Sequence, residues 1–147
     1  MITASFFIKT AIVLIISIVL SILDIKNLAV PAWPVITGCI LMIAVLIVFD
    51  GTATFLYILS SAIFVLIYFI VRIVSKNKFG RGDILFGIFQ GLCIHPYFIW
   101  VCLAVETLAA FIAYRNKPAQ KLPFIPFMSA GLVAGFVTSL VVFAAVF

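Results

Sequence analysis

The sequence predicts an all-α, polytopic membrane protein of about six transmembrane helices with short loops, forming one transmembrane domain over residues 1–147. Three observations lead there. Hydrophobic residues make up 67% of the chain and charged residues only 9%, whereas soluble domains average about half apolar and about a quarter charged. The apolar runs approach the roughly 20 residues a helix needs to cross the hydrocarbon core, and they lack the strict alternation of a membrane β-strand. The basic residues collect in the polar breaks between these runs, as topology determinants do. A soluble domain, a disordered chain and a disulfide-knotted module are excluded by composition.

The first run is Ser5 to Leu23, ending at Asp24. Its lone basic residue, Lys9, follows an apolar start and no small-x-small site follows, so a retained helix is expected instead of a cleaved signal. The polar break Asp24-Ile-Lys-Asn27 leads through Pro31 and Pro34 into a second run that lasts to Phe49. Asp50-Gly51-Thr52 reads as a tight turn. The third run covers Ala53 to Val71, and the most polar stretch, Arg72 to Asp83, follows. Ile84 to Ala113 is apolar but broken at His95-Pro96, and loop charge decides how to divide it. With two helices, eight of the nine basic residues (Lys26, Arg72, Lys76, Lys78, Arg81, Arg115, Lys117 and Lys121) share one face. The positive-inside rule makes that face cytoplasmic and places both termini outside. Leu122 to Phe147 supplies the last helix.

The four acids then separate. Asp24 closes one helix and Asp83 opens another of opposite direction, so both are expected at the cytoplasmic membrane edge. Asp50 lies in an outer turn. Glu106 falls near mid-membrane, where an ionisable group is costly and faces a bundle interior or a cavity; a hydrogen-bonding role and a role beside a substrate path are both open. Gly80 and Gly82 flank Arg81 before Asp83, suited to unusual backbone angles and to close approach of an extended peptide. Two acids in one low-dielectric pocket do not both ionise readily, so one keeps its proton. Such a pair can act as general base on water and general acid on a peptide carbonyl. Cys39, Cys93 and Cys102 read as packing residues without metal-like spacing. Trp33 and Trp100 read as interface anchors, and Gly131 and Gly135 as helix-packing positions. His95 lies far from the acids, and Gln90 is nearly two turns from Asp83.

Gly80-Arg81-Gly82-Asp83 resembles the GxGD signature of membrane aspartyl proteases. Asp24, six residues and Pro31 resemble the first-aspartate element of type IV prepilin peptidases, and Leu122-Pro-Phe-Ile-Pro-Phe127 resembles the Pro-Phe-x-Pro-Phe element opening their last helix. All three occur in family order. The resemblance implies an aspartic endopeptidase that removes the leader of type IV prepilins or pseudopilins, in the bacterial cytoplasmic membrane. Asp24 and Asp83 would be catalytic, and Gly80, Gly82, Pro31, Pro123, Phe124 and Pro126 would bind substrate or shape the site. Ile84-Leu85-Phe86 follows the second acid where the family commonly has a lysine, and Ala32 follows Pro31 where asparagine is common. The longer family members carry a cysteine-rich cytoplasmic domain and methylate the new N-terminus. Peptidase activity without methyltransferase activity is expected here, as in the compact peptidases of tight-adherence pilus systems. No cofactor, metal or nucleic acid is expected, and the partners would be a prepilin and the lipid bilayer. The competing reading is a small transporter or assembly subunit whose acids bind a cation or stabilise packing.

Overall fold

A computed structural model describes residues 2–75, 80–116 and 123–146, with side chains described over 5–75, 80–115 and 123–142. Six helices occur among them: α1 (Ile2–Asn27), α2 (Ala32–Asp50), α3 (Thr54–Val74), α4 (Arg81–Cys93), α5 (Ile99–Asn116) and α6 (Ile125–Val146). The expected basic residues Lys76, Lys78, Lys117 and Lys121, and Leu122, lie outside the described residues.

Local chemistry accounts for most helix ends. Contrary to expectation, α1 does not stop at Asp24 but continues one turn to Asn27. Lys26 in that last turn complements the negative end of the helix dipole, and the Leu28 N–H still reaches the Asp24 carbonyl at 2.8 Å. Leu28 then turns the chain with φ of +49°, a conformation that costs an L-residue about 1–2 kcal/mol. Pro31 sits at the N-cap of α2 in an extended conformation, where its missing N–H is not needed. Gly51 ends α2 at φ +54° and opens a 3-10 turn, Gly51–Ala53. At the ambiguous break, α4 ends at Cys93, Ile94 and His95 are extended, and Pro96 opens a second short 3-10 turn before α5. The region is two helices, not one kinked helix.

Close contacts fix the directions of the helices. Lys9 of α1 pairs with Asp50 at the end of α2, while Ile16 lies against Gly38, so α1 and α2 are antiparallel. Gly87 of α4 lies against Tyr68 of α3 and Gly91 against Ser60 and Ser61, again antiparallel. Gly82 near Val30 and Phe89 near Gly38 show that α4 runs parallel to α2. In α6, Gly131 meets Cys102 and Glu106 whereas Gly135 meets Phe98 and Cys102, antiparallel to α5. Ser21 donates to Ser129 at 3.0 Å, and α1 runs antiparallel to α6. The helices therefore alternate in direction along the chain. Helices α1, α2, α4 and α6 form a ring, with α3 packed on α4 and α5 packed on α6.

The surface is apolar and much of the polarity is inside. Phe7, Val48, Phe55 and Val74 are exposed, whereas Ser60, Gln90 and Glu106 are buried with Phe64, Phe86, Phe89 and Met128. This distribution suits a bundle whose solvent is lipid. Among the described residues four helical segments, Ser5–Asn27, Ala32–Val74, Pro96–Arg115 and Ile125–Val142, are long and apolar enough to cross a membrane. They are four and not the six expected, because the 43-residue Ala32–Val74 segment contains both α2 and α3 and because α4, with 13 residues, falls below the roughly 17 needed. Trp33 and Trp100 are exposed at the starts of α2 and α5, at opposite ends of the bundle.

Glycine permits the tightest approaches. A Cβ at Gly91 would lie 2.2 Å from the Ser61 Cα, a backbone atom that cannot rotate away. Gly91→Ala is expected to destabilise the bundle by about 1–3 kcal/mol through overpacking, read as a lower unfolding midpoint in detergent. At Gly82 the nearest atom to an added Cβ is 3.6 Å away, and Gly82→Ala should leave that midpoint unchanged.

Candidate functional site

Asp24 lies three residues from the end of α1 and is buried. Its Oδ2 accepts a hydrogen bond from the Ile125 N–H at 3.0 Å. Ile125 is the first residue of α6 and Pro126 the second; the proline lacks an N–H, so Ile125 carries the first amide there that intrahelical bonding leaves free. The Phe124 carbonyl receives the Phe127 and Met128 N–H groups at 3.0 and 3.2 Å, closing the first turn. The Pro123-Phe124-Ile125-Pro126 element thus presents a helix N-terminus to a carboxylate from the other end of the chain, an arrangement that the helix dipole favours.

Asp83 stands at the third position of α4, half-buried. Its Oδ2 accepts the Gly80 N–H at 2.9 Å, one arm of a capping box. Asp83 lies outside the four long apolar segments. Burial pushes its carboxyl up to about 6; the Gly80 hydrogen bond opposes that rise, and the charge of Asp24 adds to it. The two acids therefore stand at the same end of the bundle, near enough for one charge to bear on the other. That end also holds Lys26 and Arg81, at the close of α1 and the start of α4.

The remaining predicted site residues fall around the acids in different ways. Gly80 has φ of −71° and ψ of 155°, angles open to any residue, so the expected need for unusual backbone angles does not hold there. Its smallness matters instead, since a Cβ would lie 3.0 Å from the Asp83 Oδ2. Gly82 faces Val30 in the α1–α2 connection, which brings Pro31 to the same end as Asp83. Phe124 packs against the buried core and Pro123 and Pro126 are half-buried beside it.

The other acids are elsewhere. Asp50 pairs with Lys9, and Lys9 lies over the Tyr57 ring at 5.4 Å; this layer is 15 residues along α1 from Asp24, about 22 Å. His95 is with it, edge-on to Tyr57 and stacked on Tyr97. Glu106 and Gln90 meet in the interior with Tyr68. Gln90 was visible as a lone amide in an apolar run, but Tyr68 carried no signal beyond being a tyrosine in a hydrophobic helix. The three cysteines are free and at least half-buried. Among the described residues no group of three or more His, Cys, Asp or Glu side chains comes together to hold a metal.

No family model, curated protein or solved structure matches this chain. The chemistry of the site is the basis for assigning a function.

The raised carboxyl has a consequence for stability. An acid whose folded value lies above its ordinary value favours folding only while it is protonated. Stability is therefore expected to fall as pH rises from about 4 through about 6, the interval set by Asp83. Asp83→Asn should lessen that fall and raise the unfolding midpoint above pH about 6, as measured in detergent across the pH series.

Proposed function

We propose that the chain is a membrane aspartyl endopeptidase that cleaves the leader of type IV prepilins or prepilin-like proteins at the cytoplasmic edge of a bacterial inner membrane. The observation that carries this reading is the convergence of Asp24 and Asp83, from helices α1 and α4, at one end of the bundle, with the charge of Asp24 bearing on Asp83. The GxGD run, the spaced Asp24–Pro31 pair and the Pro-Phe-x-Pro-Phe element meet at that same end, and this supports the family resemblance without depending on it. In this reading all six helices cross the membrane. Residues 84–98 supply the fourth crossing with Asp83 at its edge, since extended backbone at Ile94 is tolerated where it is buried in protein.

The chemistry follows from the two environments. The Asp24 carboxylate, held by the first N–H of α6, draws a proton from water as the water attacks the peptide carbonyl. Asp83 keeps its proton more tightly than an ordinary carboxyl, and a substrate covering it removes more water and tightens that hold. It polarises the carbonyl and then protonates the leaving amine. A leader–helix junction reaches such a site without entering the bilayer, because both acids lie at helix termini. A cation-binding transporter would instead draw on Glu106, which is enclosed by Tyr68 and Gln90.

Co-expression with a prepilin tests the proposal. Asp24→Asn and Asp83→Asn are each expected to slow leader removal by at least about 100-fold, the usual lower bound for losing a general acid or base, while the protein stays in the membrane. Full processing by either variant removes the assignment. For the wild-type protein kcat/KM should fall as pH rises through about 6, the value for Asp83 in the free protein; a rise over the same interval would exchange the roles of the two acids. Cysteines introduced at Lys26 and Arg81 should label from the cytoplasmic side, and labelling from opposite sides would break the shared edge.

A further inference from the structure

Glu106 lies deep in the bundle, 2% exposed, with Gln90 and Cys102 at 0% and Tyr68 at 2%. The Tyr68 hydroxyl is 2.7 Å from Gln90 Oε1 and 2.8 and 2.9 Å from the two Glu106 oxygens. Gln90 Nε2 lies 3.1 Å from Glu106 Oε2, and it also reaches the Cys102 sulfur and the Met128 carbonyl. One cluster thus ties α3 (Tyr68), α4 (Gln90), α5 (Glu106, Cys102) and α6 (Met128).

Counting protons shows the state of the acid. A phenol carries one hydrogen, yet the Tyr68 oxygen stands at bonding distance from acceptors on both Gln90 and Glu106. If its hydrogen serves one of them, the other contact is oxygen against oxygen unless a second hydrogen is supplied. A carboxylate has none to give, whereas a carboxylic acid has one. Exchanging the Gln90 amide oxygen and nitrogen does not remove the need. The amide nitrogen would then donate to Tyr68, and the amide oxygen would face Glu106 Oε2 at 3.1 Å with no hydrogen between them. Both assignments close only with a proton on Glu106. The groups facing it agree: Tyr68 from α3, Gln90 from α4, Cys102 on α5 itself and Gly131 from α6, none of them cationic.

Gln90 follows Asp83 by seven residues, two helical turns and about 10 Å on the same face of α4. The cluster therefore sets the rotation of the short helix that carries Asp83. We infer that Glu106 is a neutral carboxylic acid that acts as a positioning residue, clamping Gln90 together with Tyr68 so that α4 presents Asp83 towards Asp24. The part concerning Asp83 rests on the proposed peptidase function; the protonation and the clamp do not.

Glu106→Gln separates this role from that of a charge or a proton carrier. The introduced amide donates to Tyr68 and accepts from Gln90, as the neutral acid does and a carboxylate cannot. Infrared spectra of the full chain in detergent at pH about 6, well above ordinary carboxyl values, should show a protonated-carboxyl C=O band that is lost in Glu106→Gln. That variant should unfold within about 3 °C of wild type, whereas Tyr68→Phe, which removes only the hydroxyl, should unfold at a lower temperature. In leader cleavage, Glu106→Gln should keep kcat and KM within about threefold and leave the pH profile unchanged, and Tyr68→Phe should lower kcat about tenfold with little change in KM. Absence of a band lost on substitution, Glu106→Gln as slow as Glu106→Ala, or an unaffected Tyr68→Phe variant would each overturn the inference. If wild type cleaves no prepilin-type leader, the peptidase proposal falls, while the infrared band and the unfolding temperatures still decide the clamp.

Discussion

The hydrogen bond from the Ile125 N–H to the Asp24 carboxylate joins residues 101 positions apart, and the end of the bundle that holds the acids depends on it. The bond satisfies a helix-terminal amide that has no partner within α6. It also gives a buried carboxylate a donor, without which burial would be costly. Ser21 and Ser129 continue the same seam one turn further in. With α1 and α6 closed on each other, α2 and α4 complete the ring, and Asp83 at the start of α4 is delivered to the level of Asp24. The prolines around Ile125 belong to this interaction, because they end the preceding loop and leave a single early amide for the acid to take.

A second constraint is the solvent. In lipid the apolar exterior contributes no driving force for helix association, so packing contacts and interior hydrogen bonds carry more of the load. Both are present. Gly91 and Gly131 bring backbones of neighbouring helices nearly into contact, Gly87 makes room for the Tyr68 ring, and the Tyr68–Gln90–Glu106 cluster supplies polar links between helices that are otherwise hydrophobic. The Lys9–Asp50 pair closes the opposite end. Charged side chains are few, and those with described partners sit at helix termini or in turns, apart from Glu106 and Lys9.

Much of this organisation was legible in the sequence because its causes are local. The break at Asp50-Gly51, the proline starts of α2 and α6, the division at His95-Pro96 and the glycine-flanked start of α4 all follow from backbone preferences within a few residues. The alternation of helix direction followed from where the basic residues fall, and it predicted that Asp24 and Asp83 would share an end. Two local readings failed for physical reasons. The α1 helix runs past Asp24 because Lys26 and Asn27 suit its last turn and Leu28 accepts a left-handed conformation. Gly80 keeps ordinary angles, and its value is the space it leaves for a carboxylate.

By itself, the sequence determined a helical chain rich enough in apolar residues for a membrane, the positions of the helix ends to within a turn, and the candidates Asp24, Asp83 and Glu106. Only the tertiary structure decided which groups those acids meet: Asp24 with the first amide of α6, Asp83 with the Gly80 N–H, and Glu106 with Tyr68 and Gln90. The reason lies in the range of the interactions. Helix formation is written in neighbours three and four residues apart. The rotation of each helix about its axis is set by packing against others, so the partner of a buried polar group follows from how distant segments interlock.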